Sequence, residues 1–252
     1  TLGYSAIRSY LTMQAHIKVD WLAKVKTLKE YKKIKHVVII PEYKEPLHIL
    51  RHTLNNLVLQ DFPKKQLIVV LATEAKDDRA KEVSDVLKKE YGHLFGLFVI
   101  TNHTLVPGEI TGKSSNMACA AKEFMRLYGK TIHPKMTTVT SCDADALLHP
   151  KYFSYLSNSF LRDSERHYHF FQGAILFYSN IWRIPLPNKL FNTINSIWNL
   201  AILSQTSRFI NFSTYSLSLQ TVIDVGFWSV DVIPEDYHLF FKVYFEKGSK
   251  VH

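Results

Sequence analysis

The stretch TSCDADALLHP, residues 140–150, sets Asp143 and Asp145 one residue apart, after a β-branched, strand-like run. Burying unpaired carboxylates is costly, so a positive partner is expected beside them. Magnesium and manganese are hard cations held by one or two carboxylates together with substrate phosphate oxygens. Two aspartates on one turn match that need, although the same spacing also occurs in ordinary turns and caps. A second group is Gly112 and Lys113 at a helix start, where backbone amides favour anions. Lys113 could equally be a surface lysine, and the spacing is not that of a Walker loop. A third is Glu235 and Asp236, which follow Pro234 and open a helix. A helix N-terminus stabilises acids there, so both also suit plain capping.

The elements that must position these residues follow an alternating pattern. Short apolar runs at HVVII (36–40), QLIVVLA (66–72), LFGLFVIT (94–101) and MTTVTSC (136–142) read as buried strands. Between them, 46–60, 77–91 and 114–127 read as helices. Continuous apolar strands alternating with helices predict a doubly wound, mostly parallel α/β sheet with helices on both faces. Ligands bind such sheets at the carboxyl ends of the strands. Residues 41–45, 73–78, 102–113 and 143–145 are predicted to meet there. After Pro150 the pattern loosens: 168–180 alternates like a strand, 188–205 reads as a helix, and a turn and helix fill 232–248.

Residues 4–33 carry apolar side chains at helical spacing with lysines between them, which predicts a basic amphipathic helical arm over 1–35. It either packs on the domain or lies along a cytosolic membrane face. Residues 36–252 are assigned to one domain. Thirty-one basic against 22 acidic residues give a formal net charge of +9, which favours an anionic partner. The basic residues are not interleaved with aromatics on a nucleic-acid module, so nucleic acid is set aside. Cys119 and Cys142 have neither metal-ligand nor disulfide spacing, as expected of a reducing cytoplasmic setting. No apolar run reaches the roughly 18 residues a spanning helix needs. The chain reads as a segment of a longer one that membrane helices could flank.

Five stretches in order resemble family 2 glycosyltransferases of the GT-A fold, the broad group that includes cellulose, chitin and hyaluronan synthases. They are VVIIPEYKE (37–45), GKSSNMACA (112–120), SCDADALLHPKYF (141–153), FQGAILFYSN (171–180) and PEDYHLFFKVYFEKGSKV (234–251). The resemblance implies an inverting, metal-dependent transfer from a nucleotide sugar, UDP-linked by family habit, to a hydroxyl of a glycan or lipid carrier. It implies a smaller acceptor-side subregion and a place at the cytosolic face of a membrane. By position, Pro41, Tyr43 and Glu45 would contact the uridine, with Lys44 where asparagine is common. Glu74, or Asp77 or Asp78 beside it, would read the base. Lys113 would meet the phosphates, Asp143 the nucleotide sugar and Asp145, with Asp143, a Mg²⁺ or Mn²⁺ ion. Glu235 and Asp236 would be catalytic, with Asp236 as the base. The Gln-x-x-Arg-Trp stretch of processive synthases is not found. Two alternatives remain: a nucleotide-sugar-binding subunit without transfer, and a sugar nucleotidyltransferase, whose usual Gly-rich loop after the first strand is replaced here by PEYKEP.

Overall fold

The computed structural model describes residues 2–179, 181–205, 210–248 and 250–252. It divides into two compact units. One comprises Thr1–Asp20, Gln172–Ile210 and His252; the other comprises Trp21–Phe171 and Asn211–Val251.

The larger unit is built on a six-stranded sheet. Strand β1 spans Lys35–Pro41, β2 Leu67–Glu74, β3 Leu97–His103, β4 Thr137–Ser141, β5 Phe170–Phe171 and β6 Tyr215–Ser218. Their spatial order is β3-β2-β1-β4-β6-β5. The first four are mutually parallel, while β6 runs antiparallel to both β4 and β5. All eight residues of β2 are buried, which explains its unbroken apolar run: a central parallel strand is covered on both faces. Helices α3 (Leu47–Val58) and α4 (Ala80–Tyr91) connect β1 to β2 and β2 to β3. Helix α5 (Lys113–Tyr128) then returns the chain from β3 to β4, on the other side of β1. Right-handed crossovers place α3 and α4 on one face and α5 on the other. The chain therefore reverses direction between β1 and β4, and a crevice opens there at the carboxyl ends.

The helices present their apolar stripes to this sheet. Leu50, Leu54 and Leu57 of α3, Leu87 and Tyr91 of α4, and Phe153, Leu156 and Phe160 of α6 (Tyr152–Arg162) join one core with Val38, Ile40, Val69 and Leu71. Each such side chain contributes about 1.5–3 kcal/mol by leaving water. His36 of β1 is wholly buried, held by Thr138 Oγ1 and Ser157 Oγ, each at 2.7 Å. Burial pushes its imidazole down to about 3, so it stays neutral and structural.

The expected arm over 1–35 is not one element. Helix α1 ends at Lys18, and α2 (Trp21–Lys26) belongs to the larger unit. Val25 and Ile34 are fully buried in its core, so apolar burial, not a solvated basic face, decides where this segment goes. In the smaller unit, α1 (Leu2–Lys18) and α7 (Leu186–Leu203) share a small cluster of Ala6, Leu200 and Ala201 with Met13 and Ala174. Much of the apolar stripe of α7 stays outside: Leu186, Leu190, Ile194, Ile197 and Trp198 are exposed. No described helix is long and apolar enough to cross a membrane.

One expectation changes in detail. The strand expected over 168–180 shortens to Phe170–Phe171, and Asn180 lies outside the described residues. Trp228 is core: its indole N–H donates to the buried Tyr215 hydroxyl at 2.9 Å.

Candidate functional site

A cleft of about 600 Å³ opens at the carboxyl ends of the strands. Its wall includes Pro41, Tyr43, Glu45, Glu74, Lys113, Asp143 and Asp145, so seven of the nine sequence-predicted side chains meet there. Local contacts explain how. The Asp143–Asp145 turn follows β4, and Cys142 N–H still donates to Ile39 of β1 at 3.0 Å. Helix α3 grips the turn from below. Thr53 Oγ1 donates to the Ala144 carbonyl at 2.6 Å, and Asn56 both donates to and accepts from the Leu148 backbone. Asn116, on the first turn of α5, donates to the Ala72 carbonyl at 2.8 Å. This draws the helix N-terminus, with Gly112 and Lys113, to the cleft.

Lys113 is the centre of one end. Its ammonium lies 2.6 Å from Asp143 Oδ1 and 2.7 Å from Glu235 Oε1, and donates to the Ser213 carbonyl at 3.3 Å. Burial alone would lower its pKa, but the two carboxylates outweigh that and hold it above the ordinary lysine value. Burial raises Glu235 above the ordinary carboxyl value, and Lys113 offsets only part of this. Glu235 and Asp236 do not line the cleft; both open helix α8 (Glu235–Lys247). Asp236 Oδ2 accepts from the Ser213 amide at 3.0 Å and Oδ1 from the Tyr237 amide at 2.8 Å. Ser213, unmarked by any sequence signal, joins the groups: its hydroxyl donates to Asp143 Oδ2 at 2.5 Å. It does so from a left-handed backbone, φ 56°, a conformation that non-glycine residues adopt mainly where surroundings impose it.

The other end is formed by the loop after β1. Lys44 is also left-handed, φ 65°. Lysine adopts that region less readily than asparagine or glycine, so the turn needs other contacts to hold it. The turn is held by the Lys44 amide donating to Asp77 Oδ2 at 3.0 Å and the Tyr43 amide donating to Glu45. Burial would raise Asp77, but the Arg79 amide and guanidinium and the Lys44 amide hold it below the ordinary range. Asp78 takes no part in the wall.

Glu74 is committed elsewhere. Its carboxylate meets His103 Nδ1 at 3.0 Å, while His103 Nε2 meets Glu109 Oε2 at 2.9 Å. Burial would lower His103, but two carboxylates raise it above the ordinary imidazole value and favour the doubly protonated ring. The structure brings this pair together because Glu74 and His103 end neighbouring strands in register.

The wall contributes five carboxyl groups, Glu42, Glu45, Glu74, Asp143 and Asp145, against two lysines, Lys76 and Lys113. A diphosphate entering so acidic a cleft needs added positive charge. Asp143 is already engaged by Lys113 and Ser213, while Asp145 is exposed and has no partner among the described residues. Among the described residues no group of three or more His, Cys, Asp or Glu side chains forms a metal cage. One or two carboxylates plus phosphate oxygens is the coordination Mg²⁺ or Mn²⁺ prefers, so the residues present fit such an ion only together with a phosphorylated ligand.

No curated protein matches the chain. Among solved structures, it resembles the mannosyltransferase PcManGT from Pyrobaculum calidifontis, solved in complex with GDP-Man and Mn²⁺, with TM-score 0.56 and 16% identity over 96% of this chain. It also resembles residues 1–349 of S. aureus TarS in complex with UDP-GlcNAc, with TM-score 0.53 and 15% identity over 84% of this chain. The chain spans 64% of the first and 54% of the second. These likenesses bear out the GT-A fold expected from the sequence. Residues 35–201 match the model described as "Glycosyltransferase like family 2", and the chain therefore belongs to that glycosyltransferase family.

Proposed function

We propose that the protein transfers a sugar from a nucleotide-diphosphate donor to a hydroxyl acceptor, on a glycan or lipid carrier, with inversion and with a divalent metal. The observation that carries this reading is Lys113, held between Asp143 and Glu235 at the helix end of an acidic cleft. A departing nucleoside diphosphate gains negative charge, and preorganised positive groups there stabilise the transition state. Asp145 and Asp143 would hold Mg²⁺ or Mn²⁺, and a bound metal would neutralise that diphosphate as it leaves. Asp236 is the group assigned to take the acceptor proton: it is partly exposed, and two amides fix its carboxylate in place. Glu235, buried against Lys113, positions that lysine. Attack assisted from a carboxylate separate from the diphosphate gives inversion at the anomeric carbon. The donor class is supported by nucleotide sugars bound in both fold relatives, GDP-Man in one and UDP-GlcNAc in the other.

Membrane attachment belongs to the same proposal. Residues 172–210 contain no Asp or Glu but do contain Arg183, Lys189 and Arg208. With the exposed apolar stripe of α7, this composition suits the surface of an anionic bilayer. Co-sedimentation with phosphatidylglycerol vesicles, lost in Ile194→Glu, tests it; equal recovery without vesicles defeats it.

Donor hydrolysis and transfer with UDP- and GDP-sugars, with and without Mn²⁺, test the activity. Turnover that requires metal and disappears in Asp236→Asn, with nucleotide binding kept, is the expected result. Binding without turnover in the unsubstituted protein would instead mark a donor-binding subunit, and no thermal shift with any nucleotide sugar would end the donor-site reading.

A further inference from the structure

One buried carboxyl group in the cleft wall has no hydrogen-bond partner among the described residues. Glu42, the residue after β1, is 1% exposed, and neither carboxyl oxygen accepts a hydrogen bond from any described residue. Its backbone is tied to β2, the Glu42 amide donating to the Ala72 carbonyl at 2.8 Å. The side chain is therefore placed by the sheet itself and not by a loose loop. A buried polar group with no hydrogen bond costs free energy and calls for an explanation. Its neighbours make ionisation worse. Burial raises its pKa first, then the charges of Glu45 and Asp77, to about 7. The amides of Lys44 and Glu45 lie close enough to offset part of this without forming well-made hydrogen bonds. The remaining charged groups of the same wall are Glu74, Lys76, Lys113, Asp143 and Asp145, with His103 behind Glu74.

Position completes the argument, which rests on the donor-site reading above. The spatial order β2-β1-β4 puts Asp143, Asp145 and Lys113 at the β4 side and the Glu42–Glu45 loop with Asp77 at the β1–β2 side. A nucleotide whose diphosphate lies at the first must extend its base toward the second. We infer that Glu42, as a neutral carboxylic acid, reads the imide edge of a uracil base: its O–H donates to a ring carbonyl and its C=O accepts from N3–H. A neutral carboxyl offers one donor beside one acceptor, which is the complement of that edge. An ionised carboxylate offers acceptors alone. It suits the adjacent N–H groups of guanine and clashes with the uracil carbonyl. Glu42 would thus set donor base choice, and the choice would depend on pH.

The test measures binding of UDP-glucose and GDP-mannose, with Mn²⁺ or Mg²⁺ present, by calorimetry from pH 6 to 8.5. Nucleotide sugars lack a terminal phosphate that titrates in this range. The expected result is that UDP-sugar affinity falls as pH rises above about 7, approaching tenfold per pH unit, while GDP-sugar affinity does not. Glu42→Gln supplies the same donor and acceptor without titrating, so it should bind the UDP-sugar with a flat profile. That flat profile also excludes His103 as the source of the pH dependence. Glu42→Leu should bind both donors but lose discrimination between them, with melting temperatures of both variants showing that they fold. UDP-sugar binding that is independent of pH, or unchanged selectivity in Glu42→Leu, overturns the role of Glu42 and leaves the donor site standing. Failure of every nucleotide sugar to bind the unsubstituted protein overturns both.

Discussion

The two ends of the cleft solve opposite electrostatic problems. At the β4 end, Lys113, Asp143, Glu235, Asp236 and Ser213 are joined by ion pairs and hydrogen bonds of 2.5–3.3 Å. At the β1–β2 end, Glu42 lies buried without a hydrogen-bond partner among the described residues, beside two more acids. The Lys113 network of the first end is in place before any ligand arrives, as a site for charge stabilisation should be, since reorganisation at the moment of reaction is costly. The second end is left incomplete, and a ligand's own hydrogen bonds are what finish it. Preorganisation therefore marks the end assigned to chemistry, and an unsatisfied group marks the end assigned to selection.

That contrast can be broken by substitution. The largest effect is expected at Asp236: Asp236→Asn should lower the turnover of transfer about 10²–10⁴-fold with donor affinity unchanged. A loss of affinity with turnover intact would move Asp236 out of the chemistry.

Lys113→Met comes next, with a turnover loss of about 10²–10³-fold. It also leaves the buried Glu235 without its cation, at a cost of about 3 kcal/mol in denaturant unfolding. The double variant Lys113→Met, Glu235→Gln should recover that stability but not the activity. Recovery of both would reduce Lys113 to a structural counter-ion.

Between the two ends lies the Glu74–His103–Glu109 cluster. His103→Gln should cost about 1–3 kcal/mol, because the bonds lost are to charged groups. The folded imidazole value is raised, so its contribution is full below the ordinary histidine value and fades as pH rises through the folded value. The gap between the unsubstituted protein and His103→Gln should therefore narrow toward alkaline pH; a gap that widens would contradict the charged form.

The last effect has the opposite sign and leaves the protein unchanged at low pH. Glu42 is raised from 4.5 to about 7 in the folded state, so folding holds its proton and stability is lost as pH climbs between those values. Glu42→Gln should match the unsubstituted protein near pH 4 and exceed it above pH 7 in melting temperature. Equal stability at both extremes would mean that Glu42 is not strained by burial.

How far the sequence could be read follows from the same physics. Strands β1 to β4 and helices α3 to α5 were legible because a parallel sheet buries whole apolar runs, and each run stood between amphipathic helices. The Asp143–Asp145 turn and the Gly112–Lys113 helix start could be placed at the ligand end on that basis alone. Past Pro150 legibility failed for particular reasons. Strand β6 is four residues long and joins the sheet antiparallel, so neither length nor crossover announces it. Helix α7 was read, but its place in a smaller unit with α1 was not, because that unit is assembled from distant segments. The amphipathic spacing of residues 4–33 was seen, yet its break at Val19–Asp20 and the burial of Val25 depend on what packs against it.

The sequence by itself determined the alternation of strands and helices, the strand ends that carry the acids, and the family. Local periodicity and turn chemistry write the first two into neighbouring residues, and the ordered stretches that resemble the family carry the third. Only the tertiary structure decided which acids have partners. Ser213 reaches Asp143 across 70 positions, and Glu74 finds His103 across 29. Glu42 finds none. Protonation and charge pairing depend on what lies within a few ångströms in space, and separation along the chain carries no information about that distance.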